Sequence, residues 1–170
     1  MRKLTRIAAG MGFTLAAAGL TMVAAAGPAA AGTVSLTYSC SVGGTTVAYP
    51  GAVTITAPAT AKAGDVVTLQ VDLEREPHAA QDIPAHAITG QLTIGLGGAG
   101  TGSVQAAGLT NLQAVPKGGA VVLSGSTSAT LSTAGDVTFT PAGLQVAFNG
   151  AAATCSPVGA VAPAATTTVS

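Results

Sequence analysis

The residues of this chain best equipped for chemistry lie close together, in Asp72-Leu73-Glu74-Arg75-Glu76-Pro77-His78, with Asp82 and His86 shortly after. If Asp72, Glu74 and Glu76 continue a strand, their carboxylates project from one face, and oxygen ligands grouped in that way suit a hard cation such as calcium. The spacing matches no calcium loop, however. Pro77 and Pro84 fit a solvated strand end and loop in which Arg75 screens its neighbours. His78 and His86 have no third ligand placed by the sequence and read as exposed loop residues rather than a zinc pair. The acidic cluster Asp72, Glu74, Glu76 and Asp82 is a candidate site for which no metal and no cofactor is expected.

Nucleophilic catalysis has less to build on. Serine and threonine are plentiful, but there is no Gly-x-Ser-x-Gly elbow, and Gly125-Ser126-Thr127-Ser128 reads as a turn. Apart from Asp65 and Asp136, the acids all fall in the one short segment, so no pair of carboxylates is set to face another across a cleft. With no acid, base and nucleophile assembled, the protein is not expected to be an enzyme.

Cys40 and Cys155 are the only cysteines. Cys40 falls in the alternation Leu36, Tyr38, Cys40, Val42, whose polar partners are Thr37, Ser39 and Ser41, so its side chain should point inward. Two cysteines without a CxxC spacing make an incomplete metal set, whereas an even pair in an oxidising compartment is most simply a disulfide. Such a bridge would staple the first strand to the end of the last. In the chain-entropy account, closing a loop of about a hundred residues stabilises a fold by roughly 4 to 5 kcal/mol.

The N-terminus supplies that compartment. Arg2, Lys3 and Arg6 form a basic head, Ile7 to Ala26 carries no charge, and Ala29-Ala30-Ala31 before Gly32 is a small-residue cleavage pattern. Residues 1–31 are thus expected to be a signal peptide, with Ala24-Ala25-Ala26 before Gly27 as a second acceptable cut. The uncharged run is rich in Ala and Gly and short of Leu and Ile, which speaks against a retained anchor. The product is expected to be secreted or extracellular, with no membrane attachment after cleavage.

Without the signal, Lys62, Arg75 and Lys117 stand against Asp65, Asp72, Glu74, Glu76, Asp82 and Asp136, a net charge of minus three. No basic face remains to neutralise phosphates, which excludes nucleic acid as a partner class.

The elements that must position these groups show a period of two. Val67, Leu69, Val71 and Leu73 alternate with Thr68, Gln70 and Asp72, Leu92, Ile94 and Leu96 with Thr93 and Gly95, and Leu144, Val146 and Phe148 with Gln145 and Ala147. Further strands are predicted at 34–42, 46–49, 52–57, 103–107, 112–115, 120–124, 128–132 and 137–140. Turn signals separate them, among them Gly43-Gly44, Tyr49-Pro50-Gly51, Ala63-Gly64-Asp65 and Ala134-Gly135-Asp136. The prediction is all-β, an immunoglobulin-like β-sandwich over residues 32–157 with a barrel as second choice. The uncharged Pro, Ala, Val and Thr of 158–170 read as a disordered tail.

The opening Tyr38-Ser39-Cys40, the run Pro58-Ala59-Thr60-Ala61-Lys62-Ala63-Gly64 leading into a strand, and the close on Leu144 to Phe148 and Thr154-Cys155 resemble a group of actinobacterial secreted β-sandwich domains of uncharacterised function. The likeness spans roughly Val34 to Pro157. It implies a cell-envelope or extracellular module with no assigned active site.

Function is accordingly expected to be structural or interactive, with an extracellular protein or cell-envelope component as partner. The alternatives are a secreted hydrolase of unfamiliar type and a protease-inhibitor-like binding protein. After the signal the aromatic residues are Tyr38, Tyr49, Phe139 and Phe148, without tryptophan, which gives little surface for stacking sugars. A sheet edge or the Gly-rich stretch Gly95 to Gly102 could meet a protein partner through backbone groups. A pocket joining Asp72, Glu74 or Asp82 to a histidine would favour the hydrolase, and a protruding loop braced by the disulfide would favour the inhibitor.

Overall fold

The computed structural model describes residues 28–76 and 78–170. Most of the expected signal peptide, and the alternative cut after Ala26, lie outside the described residues.

The chain forms ten strands: β1 (Ala29–Val42), β2 (Thr45–Pro58), β3 (Thr60–Ala61), β4 (Asp65–Arg75), β5 (Ile88–Gly98), β6 (Ser103–Thr110), β7 (Val121–Leu131), β8 (Gly135–Phe148), β9 (Ala151–Pro157) and β10 (Ala165–Val169). Strand-formers and turn residues alternate along the chain, and the described residues contain no helix. The strands make one sheet in the order β3-β10-β8-β5-β6-β7-β4-β2-β1-β9. Because β9 pairs with both β1 and β8, the strands from β8 round to β9 close into a hydrogen-bonded ring. The seam is weakest between β6 and β7, which share the single pair Thr110↔Ser124.

Strict alternation on β4 buries Val67, Leu69, Val71 and Leu73 and leaves Thr68, Gln70 and Asp72 outside. Phe139, Ile55, Leu92 and Leu131, all at most 1% exposed, lie in the same core. Cys40 and Cys155 form the expected disulfide. The two residues stand directly opposite each other on β1 and β9, so the bridge is a rung of that ladder.

The tail reading is corrected. Residues 165–169 form β10, which pairs antiparallel with β8 and parallel with β3. Ala165, Thr167 and Val169 are buried while Thr166 and Thr168 face out, a short alternation hidden by low-complexity composition. Thr167 is wholly buried, and its hydroxyl donates to the Pro58 carbonyl at 2.6 Å. The expected boundary at residue 32 also falls inside an element, since β1 begins at Ala29.

Several predicted turns are passed over by continuous strands. Pro50 interrupts nothing because β2 meets β4 only from Gly51 onward, leaving Pro50 at the end of that ladder. Gly125 to Ser128 lies within β7, which runs unbroken from Val121 to Leu131. β8 likewise runs through Pro141, where its register with β5 shifts, a bulge that absorbs the proline. The predicted strand at 112–115 is loop, pinned by one bridge between Ile83 and Val115.

Candidate functional site

The acidic cluster does not converge. Asp72 and Glu74 project from the solvent face of β4, and Asp72 accepts a hydrogen bond from the Ser124 hydroxyl on β7. Arg75 turns aside to lie over the Tyr49 ring, 4.3 Å from its centroid, a cation–π contact. Glu76 is exposed beyond the strand end, its backbone N–H donating to the Pro50 carbonyl at 3.0 Å. Asp82 belongs to the following loop, where its carboxylate accepts the Lys117 backbone N–H at 2.7 Å and caps the turn at Pro116. His78 and His86 are exposed. Among the described residues no group of three or more His, Cys, Asp or Glu side chains is placed to hold a metal ion.

The concave feature lies elsewhere. At one end of the ring, two hairpins turn over it: Gly43-Gly44 between β1 and β2, and Asn149-Gly150 between β8 and β9. All four turn residues have positive φ, the geometry of type I′ turns, which suits the twist of tight hairpins. Beneath them is a cavity of about 180 Å³. Its lining includes Tyr38, Cys40, Leu73, Leu123, Ile88, Leu144, Val146, Phe148 and Cys155, with Tyr49, Glu74 and Arg75.

The cavity exists because small residues occupy this end. Ala151 and Ala153 line it from the face of β9 that carries Cys155, where larger side chains would fill the space. The cystine is part of the wall and ties β1 to β9 just below the two hairpin tips. Tyr38, Tyr49 and Phe148 are three of the four aromatic residues beyond residue 31, and all three border this space.

Tyr38 carries the most informative polar atom. The residue is 4% exposed, and its hydroxyl is buried without a hydrogen-bond partner. Burial pushes its phenol well above the usual tyrosine range, because the charged form would have to be desolvated. The alternation around Cys40 placed Tyr38 inward, but nothing in the sequence marked its hydroxyl as unsatisfied.

Asn111 is the second residue that sequence reasoning missed. It is 1% exposed, and its amide donates to the Pro84 and Gln113 carbonyls at 2.7 and 3.0 Å while its oxygen accepts the Ile88 N–H at 2.9 Å. These bonds hold the loop that delivers Ile88 to the cavity wall, and a single Asn between Thr110 and Leu112 gives no sequence signal of such a role.

Chemically, the cavity offers mostly apolar contact surface, with the phenols of Tyr38 and Tyr49 and the residues Glu74 and Arg75 in its lining. Its lining includes Glu74 but neither Asp72, Asp82 nor a histidine. Its volume compares with that of an engineered apolar cavity of about 150 Å³ that binds benzene. An apolar group about the size of one ring fits.

No protein-family model, no curated protein and no solved structure matches the chain.

Proposed function

We propose that the protein is a secreted or cell-surface interaction module without catalytic activity, which receives one small apolar group in the cavity at its hairpin end. The observation that carries this reading is the cavity itself, lined by aliphatic side chains, three aromatic rings and a cystine. Concave, mostly apolar sites with a few polar groups are where proteins bind small ligands, and the mouths of closed sheets are a preferred place for them. The cystine supports the exported setting, since disulfides persist in oxidising compartments. An extracellular protein or envelope component bearing the apolar group is the partner this implies, in keeping with the secreted domains the sequence resembles.

The ring is read as a flattened sandwich, with β1, β2, β4 and β7 in one layer and β5, β6 and β8 in the other. Its immunoglobulin-like character rests on those two antiparallel layers. The cystine, a rung between neighbouring strands, departs from the inter-sheet bridge of that group.

Methyl-detected NMR during titration with benzene and then indole tests the binding. Saturable shifts confined to Leu123, Leu144 and Val146 are expected; shifts spread over the surface, or none, would refute the proposal.

One observation favours an inhibitor-like second reading. The cystine anchors β1 just before the Gly43-Gly44 tip, whose following residues Thr45 to Ala48 are exposed. Dose-dependent inhibition of a serine protease, abolished by reduction, would move the assignment there.

A further inference from the structure

We infer that the signal peptide is removed after Ala26, so that the mature chain begins at Gly27. This rests on the export reading above and goes beyond it by choosing the second of the two cuts in place of the one after Ala31 that the sequence puts first. Both Ala24-x-Ala26 and Ala29-x-Ala31 present small residues to a signal peptidase. The difference lies in what each cut leaves of β1.

A cut after Ala31 removes the start of β1. Ala29, Ala30 and Ala31 pair with Pro58, Ala57 and Thr56 of β2, and the Pro28 carbonyl accepts the Ala59 N–H at 2.7 Å. The β2–β4 ladder ends at Thr56, so Ala57 and Pro58 have β1 as their ladder partner on β2. That short stretch also anchors the C-terminal strand. The Pro58 carbonyl accepts the buried Thr167 hydroxyl, and the Ala59 carbonyl accepts the Thr168 N–H at 2.9 Å. Losing Ala29 to Ala31 would therefore loosen β2 where it holds β10.

Gly32, which follows the alanines of that cleavage pattern, has a structural reason of its own. A Cβ on Gly32 would come to 1.9 Å from the Ala164 carbonyl oxygen, so only glycine fits against the segment leading into β10. Gly32 is explained by packing, and no cleavage is needed to account for it. A cut after Ala26 leaves Pro28 to Gly32 intact.

N-terminal sequencing and intact mass of the exported product, made in a secreting host from the full chain, test the inference. A start at Gly27 is expected. A start at Gly32 would overturn the cut assignment and leave export standing, whereas a product still beginning at Met1 would overturn export and with it the cut. Two variants sharpen the result, because a bulky residue next to the scissile bond blocks processing. Ala26→Leu should stall maturation and accumulate precursor, while Ala31→Leu, at an exposed β1 position, should mature as the wild type does. The reverse pattern would overturn the inference.

Discussion

The two ends of the ring are built from the same β8 strand and come out differently. Over Gly135 to Phe139 its partner is β10, which contributes Ala165, Thr167 and Val169 to a core packed around the fully buried Phe139. Over Leu144 to Phe148 its partner is β9, which offers Ala153 and Cys155, and there the interior stays partly empty. The β8 ladder continues at both ends. What separates them is side-chain volume, which fills one end and leaves a cavity at the other.

The largest effect should come from the covalent tie at the open end. Replacing both cysteines by alanine releases a link across a sequence separation of 115 residues, and the chain-entropy account gives a loss of about 4 to 5 kcal/mol. Urea unfolding would show it as a lower midpoint. A loss under about 1 kcal/mol would mean that the β1–β9 ladder holds without its sulfur rung.

A matched pair of ring deletions compares the ends directly. Phe139→Ala should cost about 3 to 5 kcal/mol, as full-burial phenylalanine deletions do, whereas Phe148→Ala, half-buried beside an existing void, should cost about 1 to 2 kcal/mol. Equal losses would show that the open end is as tightly packed as the closed one.

Tyr38→Phe should do the opposite and raise stability by about 1 kcal/mol, because it removes a buried hydroxyl that has no partner. A lower melting temperature would reveal a hydrogen bond the hydroxyl does make. The pH dependence carries the same test. Burial holds the folded phenol neutral, so above about pH 10 the unfolded chain binds fewer protons than the folded one and stability falls as pH rises. The Phe variant should lose that part of the alkaline slope.

The smallest change expected is a gain from filling the void. Ala153→Leu places a larger side chain in the cavity wall and should stabilise by up to about 1 kcal/mol while abolishing the benzene shifts. Retained shifts would place the bound molecule somewhere else.

Much of this architecture was legible because alternation is a backbone property. Val67 to Leu73 and the Cys40 register followed from period two alone, and an even cysteine pair needed no structure to be matched. The misses share a cause. Pro50, Gly125 and Pro141 look like breaks, yet they are tolerated at a ladder end, within an unbroken ladder and at a bulge respectively, which depends on neighbours distant in sequence. β10 was obscured because Ala165 to Val169 has the composition of a linker, and its strand exists only because β8 and β3 present edges to it. The candidate site was the least legible part. Charged groups drew attention to β4, whereas the cavity is made by what is small, at Ala151 and Ala153, and absence of volume leaves no motif.

Xenon pressurisation of crystals of the mature protein tests the central claim most directly, since xenon enters dry apolar cavities and little else. A single ordered xenon atom bounded by Leu123, Leu144 and the cystine, with none around Phe139, is the predicted result. Side chains filling that space, or xenon at both ends alike, would contradict the account.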